Sequence, residues 1–219
     1  MKKSIAIVQT SAVSSAELKS LCEELMPEVT VYQIIDDSLI KEVNANGGPT
    51  YGVKRRMLNY FQQAESLGVD AILNQCSSVG EVADAIKPFV SVPIVKVDEA
   101  MAEKAVSMGK KIAVVATVPT TVGPSVRLVE QKAKEMGKDV KIETHLVKDA
   151  MMILIEKGDV ETHNKMVLGE VEAAAESCDV VVLAQGSMTV LLPLLGHIQK
   201  PVLTSPRLGV ERVKEVLGL

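Results

Sequence analysis

The chain has no tryptophan, two phenylalanines and three tyrosines in 219 residues. Base-stacking platforms need flat rings, so this scarcity argues against a surface for single-stranded nucleic acid. A basic surplus is also missing. Lys and Arg number 24 against 28 Asp and Glu, a net charge of −4, so little is available to neutralise phosphates and no nucleic-acid partner is expected. The three cysteines, Cys22, Cys76 and Cys178, are too few and too scattered for a disulfide framework, and no CxxC pair points to zinc. Free thiols fit a reducing cytosol. No apolar stretch approaches the ~18–20 residues of a membrane span. The first apolar run, Ile5 to Val8, stops at Gln9 and Thr10, too early for the core of a signal peptide. No GxGxxG or P-loop opens a helix, so nucleotide binding has no motif behind it. A cytoplasmic protein with no membrane partner, no metal and no cofactor is expected.

What is present is the composition of a globular fold, with 47% hydrophobic and 24% charged residues. Short β-branched runs alternate with longer segments of helical period. Strands are predicted at 4–8, 29–34, 69–73, 92–95, 112–115, 140–144, 180–183 and 201–203. Helices are predicted at 16–25, 53–66, 100–107, 126–134, 163–177 and 206–219. Near-continuous apolar strands separated by helices mean parallel sheets covered on both faces, hence an α/β fold.

The strands also repeat. Lys3-Ser4-Ile5-Ala6-Ile7-Val8 matches Lys110-Lys111-Ile112-Ala113-Val114-Val115 at an offset of 107. Val69-Asp70-Ala71-Ile72-Leu73 matches Cys178-Asp179-Val180-Val181-Val182 at 109, and Val92-Pro93-Ile94-Val95 matches Lys200-Pro201-Val202-Leu203 at 108. Any βαβ unit resembles another, but three collinear blocks at nearly one offset point to two similar four-stranded halves. The halves are expected at 1–97 and 98–204, with the C-terminal helix 205–219 returning to the first.

In open parallel sheets ligands bind beyond the carboxyl ends of the strands, where helix N-termini point. The residues there are Gln9, Thr10 and Ser11 after the first strand, and Asn74, Gln75, Cys76, Ser77 and Ser78 after the third. In the second half they are Thr117, Thr120 and Thr121, then Gln185, Gly186 and Ser187. Small hydroxyl-bearing side chains and backbone N–H groups suit a small anion. Cys76 follows a strand and precedes a helix, where the helix dipole favours a thiolate. A free cysteine is usually a buried structural residue, which is the reading taken for Cys22 and Cys178. The polar Asn, Gln and Ser neighbours of Cys76 favour a functional thiol instead.

Two pseudo-equivalent halves, the Asn-Gln-Cys-Ser-Ser turn and the Ala-Thr-x-x-Thr turn at Ala116–Thr120 together resemble the aspartate/glutamate/hydantoin racemase superfamily. So does Asp37-Ser38-Leu39-Ile40 followed by Gly47-Gly48-Pro49-Thr50 and Val53-Lys54-Arg55-Arg56. The resemblance covers essentially the whole chain. It implies a cofactor-independent isomerase with its active site in the cleft between the halves. It implies Cys76 as catalytic residue. Thr10, Ser11, Asn74, Ser77, Ser78, Thr117, Thr120, Thr121, Gln185, Gly186 and Ser187 would surround a small carboxylate of the amino-acid or dicarboxylate type. Family members carry a second cysteine opposite the first. At the 109-residue offset that position is Gln185, which cannot titrate, so two-base racemisation lacks its second base.

Three alternatives stay open: Cys-mediated racemisation with another group as second base, a one-sided reaction such as decarboxylation or cis–trans isomerisation, and an anion-binding protein that has lost catalysis. His145, placed after a strand of the second half, is the first substitute base to consider, ahead of His163 and His197. Arg207 offers itself to a second carboxylate. Arg55 and Arg56 read as a solvated helix face, and the Gly-rich stretch 44–52 as a lid or loop. The apolar segment Met188–Leu195 suits a dimer contact, and a homo-oligomer is expected.

Overall fold

In a computed structural model, which describes residues 2–219, eight strands form two four-stranded sheets, every pairing parallel. The first sheet contains β1 (Ser4–Gln9), β2 (Thr30–Ile35), β3 (Ala71–Asn74) and β4 (Ile94–Lys96) in the order β2-β1-β3-β4. The second contains β5 (Lys111–Ala116), β6 (Lys141–Leu146), β7 (Val180–Leu183) and β8 (Val202–Leu203) in the order β6-β5-β7-β8. The chain divides into two compact units: residues 1–100 with 206–219, and residues 101–205.

In the first unit both faces of the sheet are covered. Helix α3 (Tyr51–Ser66) buries Val53, Met57, Phe61 and Ala64, spaced three and four apart and so aligned on one stripe. With Leu39 and Val43 of α2 (Ser38–Asn46) and residues of α4 (Gly80–Ile86), they cover Ala6, Val8 and Ile72. The opposite face, Ile5, Ile7, Ala71, Leu73 and Val95, packs on Leu18 and Cys22 of α1 (Ser15–Leu25). It also packs on Val210, Val213 and Leu217 of the C-terminal helix α9 (Ser205–Leu217). Each large apolar side chain so buried contributes about 1.5–3 kcal/mol. Gly209 sets how closely α9 approaches, because a Cβ there would lie 2.5 Å from the Val97 carbonyl oxygen.

In the second unit α8 (Val160–Ser177) presents Val167, Val171 and Ala174 to Ala113, Val115, Val181 and Leu183. Helix α7 (Ala150–Lys157) adds Ala150 to the same core, α6 (Pro119–Glu135) packs on β5 and β6, and α5 (Glu99–Met108) opens the unit. Residues 186–194 form a 3₁₀ segment rather than an exposed strip: Met188 and Leu191 are buried, while Val190, Leu192 and Leu194 are exposed.

The internal repeat holds at the level of single hydrogen bonds. Asp70 N donates to Ser4 O at 2.7 Å, and Asp179 N to Lys111 O at 2.8 Å. Ile72 N donates to Pro93 O and Val181 N to Pro201 O, both at 2.9 Å. The two aspartates also share a task. Asp70 accepts from Ser4 N at 2.8 Å, and Asp179 from both Lys110 N and Lys111 N at 2.9 Å. These bonds hold both carboxyls below the ordinary carboxylate value.

Two helices were not expected from the sequence, α2 and α7, and the helix expected after Cys76 is α4. The stretch 44–52 is mostly helical: it ends α2, turns over residues 47–50 and starts α3. Gly47 adopts a left-handed φ of 68° to stop α2. Thr50 caps α3, its hydroxyl oxygen accepting from Val53 N at 3.1 Å. Helix α6 starts seven residues before its predicted start. Pro119 suits a first helical position, while Gly123 and Pro124 look like breakers yet lie inside the helix.

Candidate functional site

At the carboxyl end of the first sheet the chain leaves β3 through Gln75 and Cys76 and enters a 3₁₀ turn, Ser77–Val79. Gln75 N donates to Val8 O at 3.0 Å and Val79 N to Cys76 O at 3.3 Å, which fixes the turn on the strand ends. The Asn74 amide donates to Cys76 O at 3.1 Å. The Cys76 sulfur receives hydrogen bonds from the Thr10 hydroxyl and from Ser78, both backbone and side chain. The surroundings are dense, although Cys76 keeps partial exposure. Burial pushes its thiol above the ordinary cysteine value, the Thr10 and Ser78 donors oppose this, and the nearby Asp98 charge adds to the rise.

The first unit therefore brings together Thr10, Asn74, Cys76 and Ser78, with Ser77 beside them. Ser11 is half-buried just past β1. Asp98, a residue not singled out in the sequence, completes this corner. It is 4% exposed, two residues beyond β4, and accepts a hydrogen bond from the Ser77 side chain. Burial pushes its carboxyl up, outweighing that bond and the charge of Lys96. Lys96 is itself buried, with Nζ 2.6 Å from Asp84 of α4. The only cue to this group was an acidic residue just after an apolar strand, a common pattern.

The second unit repeats the turn with other side chains. Ala184 N donates to Val115 O at 2.9 Å and Met188 N to Gln185 O at 3.0 Å. Gln185 (φ −119°, ψ 135°) has nearly the backbone of Cys76 (φ −111°, ψ 119°). Where Cys76 meets Thr10, Gln185 meets Thr117, its Oε1 accepting from Thr117 N at 3.2 Å. Gly186 and Ser187 continue into the 3₁₀ segment and are half-buried. Thr120 and Thr121 lie in the first turn of α6, Thr121 buried.

Both strand ends carry buried polar atoms with no protein partner: Gln9 Oε1, Asn74 Oδ1 and Gln75 Oε1 in the first unit, Thr117 Oγ1 and Gln185 Nε2 in the second. Ser125 Oγ of α6 is another, which sequence reading missed because Ser125 lies beyond the strand-end turn. An unpaired buried polar atom costs about 1–3 kcal/mol. Their concentration where parallel sheets bind ligands marks these ends as polar binding surface.

The other sequence candidates are engaged elsewhere. His145 lies within β6, not after it, and its Nδ1 is 2.7 Å from Glu170 on α8. His163 is buried beside Asn164, and His197 is exposed beside Glu172. Arg207 pairs with both carboxylate oxygens of Glu24 at 2.8 and 2.9 Å. Arg56 is not a solvated charge: it bonds Asp36, Ser38 and Glu42, tying α3 to the end of β2. Burial alone would raise the Asp36 carboxyl, but donors from Ser38 and Tyr60 and the Arg56 charge hold it below its ordinary value. Cys22 is fully buried and its thiol is pushed up to about 12 by burial and Glu23. Cys178 is buried as well. Among the described residues no three His, Cys, Asp or Glu side chains converge to hold a metal ion, and no helix is long and apolar enough to cross a membrane.

Comparison with solved structures gives the same fold at low identity. Allantoin racemase from Klebsiella pneumoniae is similar over 99% of this chain and 88% of its own, with 15% identity and a TM-score of 0.76. An aspartate racemase homologue from Pyrococcus horikoshii OT3 matches over the full length of both chains, with 19% identity and a TM-score of 0.75. Glutamate racemase from Thermus thermophilus, solved with beta-chloro-D-alanine, matches over 99% of this chain and 81% of its own, with 20% identity and a TM-score of 0.74. No curated protein sequence matches. The family profile described as Asp/Glu/Hydantoin racemase matches residues 7–213. The chain thus belongs to the Asp/Glu/hydantoin racemase family and is a racemase-type enzyme.

Proposed function

We propose that the protein transfers a proton at the carbon α to the carboxylate of a small acid of the amino-acid or dicarboxylate type, with Cys76 as the proton carrier. The observation behind this reading is the placement of Cys76: a partly accessible thiol in the strand-to-helix turn, hydrogen-bonded by Thr10 and Ser78. Unpaired amide oxygens of Asn74 and Gln75 lie in the same turn. In this reading Thr10, Ser11, Asn74, Ser77 and Ser78 bind the substrate. Thr117, Thr120, Thr121, Gln185, Gly186 and Ser187 supply similar hydroxyls and amides. The Cys76 thiolate takes the α-proton and the bonding pair stays on carbon as an enolate-like carbanion. The thiol then returns a proton to that carbon.

Gln185 favours a narrower version, in which protonation is confined to one face. Gln185 occupies the position equivalent to Cys76 and gives its oxygen to Thr117 N. A decarboxylation fits: the C–C bond breaks, CO₂ leaves, and the Cys76 thiol protonates the carbanion before water restores the thiol. A cis–trans isomerisation fits as well, with the Cys76 sulfur adding to a double bond and leaving after rotation.

The test is proton exchange in heavy water across a panel of small amino, hydroxy and dicarboxylic acids, followed by mass and chiral analysis. The expected result is Cys76-dependent deuterium uptake at the α-carbon with retained configuration. Fast exchange that survives Cys76→Ala refutes the assignment of the proton carrier. Rapid racemisation by the unmodified protein refutes the one-face version alone.

A further inference from the structure

Cys76 and Asp98 are brought together by strand register. β3 and β4 pair Ile72 with Ile94, Leu73 with Val95 and Asn74 with Lys96. The bond from Val97 N to Asn74 O at 3.0 Å carries the register past the strand end. The next positions in the same count are Cys76 and Asp98. The Ser77 side chain donates to the Asp98 carboxylate, so the residue after the cysteine clamps the carboxylate against the turn. Both Asp98 and Ser77 are at least nine-tenths buried.

We propose that Asp98 is a positioning residue for Cys76: its buried negative charge holds the thiol in the protonated, proton-donating form. The inference rests on reading Cys76 as the proton carrier and adds what sets its resting state. Two acidic groups side by side in a buried site do not both ionise readily, because each charge raises the cost of the other. The other charged groups acting on the pair leave this relation in place. Lys96, on β4, attracts the Asp98 charge but is itself paired to Asp84 of α4. Glu99, at the start of α5, adds repulsion. Thr10 at the end of β1 and Ser78 in the turn donate to the sulfur and oppose Asp98. Burial is the largest influence raising the thiol, and Asp98 adds to it.

The second repeat gives an independent indication. At the 109-residue offset Cys76 becomes Gln185, and at the 108-residue offset Asp98 becomes Pro206. The titratable partner is absent where the thiol is absent, as expected if Asp98 serves the thiol and not the strand end. A donor-form cysteine suits the decarboxylation version above, in which the thiol delivers a proton to a carbanion, rather than a reaction that begins with abstraction by the thiolate.

The experiment follows iodoacetamide alkylation of each cysteine against pH by mass spectrometry, for the wild type and for Asp98→Asn. Asn matches the shape of Asp and can still accept from Ser77. The substitution is expected to move the midpoint for Cys76 down, so that alkylation near pH 7 quickens. The plateau rate at high pH stays the same, which separates ionisation from access. A role confined to packing would change the melting temperature and leave the profile in place. An unmoved or raised midpoint overturns the proposal. If that variant does not fold, Asp98→Ser is read in the same way, and a wild-type Cys76 midpoint at or below that of an ordinary free thiol also overturns the proposal. Alkylation needs no substrate. A protein inert toward every acid tested but showing the shift refutes the functional reading alone; Cys76-dependent exchange without the shift refutes this one alone.

Discussion

The turn after β3 and the turn after β7 share a backbone and differ in chemistry. Both are tied to a neighbouring strand by equivalent N–H donors, from Gln75 to Val8 and from Ala184 to Val115, and both run into a 3₁₀ segment. The first carries a thiol that accepts from a threonine hydroxyl near a buried carboxylate; the second carries an amide bonded to a threonine N–H. A parallel sheet constrains its strands through burial and its strand ends through main-chain hydrogen bonds. The side chains just past those ends are left to vary. Duplication of the scaffold therefore did not carry the cysteine with it, and the first unit holds both the thiol and the buried carboxylate.

The sharpest way to break this comparison is Cys76→Ala. Exchange should fall by about 10²–10⁴-fold, the contribution typical of one general acid or base. The fold should persist, because the main-chain bonds from Gln75 to Val8 and from Val79 to the Cys76 carbonyl remain when the Thr10 and Ser78 bonds to the sulfur are lost. Exchange at the wild-type rate would place the chemistry elsewhere.

Gln185→Cys tests the comparison from the other side. It should make the two turns chemically alike and produce exchange with inversion where the wild type gives retention, read by chiral chromatography of product formed in heavy water. It also removes the acceptor of Thr117 N, at a cost of about 1–3 kcal/mol. Absence of any inverted product in a folded variant would show that equivalent position does not confer equivalent function.

Gly209→Ala probes the support of the first turn. The new Cβ would meet the Val97 carbonyl at 2.5 Å, and Val97 directly precedes Asp98. A loss of about 1–3 kcal/mol on denaturant unfolding is expected from overpacking. A loss of exchange larger than the loss of folded protein would show that α9 holds the Asp98 corner in place.

The smallest effect concerns the equivalent aspartates. Main-chain N–H donors lower the carboxyls of Asp70 and Asp179 in the folded state. Their stabilising contribution is therefore present above the unfolded-state value of about 4 and is lost as pH falls through the lower folded-state values. Asp70→Asn and Asp179→Asn should each lower the melting temperature at pH 7 and flatten its fall in acid. Asp179→Asn should act more strongly, since Asp179 accepts from two main-chain N–H groups and Asp70 from one. Equal behaviour of wild type and variants between pH 7 and pH 3 would show that these bonds contribute nothing net.

The strands were legible because a strand buried on both faces needs a run of apolar residues. Ser4–Val8 and Val180–Leu183 lie within one residue of their structural bounds. Helix α2 was hidden because its buried positions, Leu39 and Val43, are only two in nine residues. Helix α6 was shortened because Gly123 and Pro124 oppose helix locally, while packing on β5 and β6 outweighs them. At the strand ends Cys76, Thr10 and Asn74 were legible because polar residues directly after apolar strands point to binding. Ser125 and Lys96 were not, because a polar residue within a strand or helix gives no sign of which way it faces.

The sequence by itself determined the α/β class, the duplication, and the glutamine at the position equivalent to Cys76, since each is a matter of residue type at a regular spacing. Tertiary structure alone decided the partners. Asp98 lies 22 residues after Cys76 and becomes its neighbour only through the register of β3 with β4. Arg207, His145 and Arg56 are engaged by Glu24, Glu170 and Glu42, from 14 to 183 residues away. Periodicity reports what each element buries. Which charges meet depends on how separate elements pack, and no local pattern in the chain encodes that.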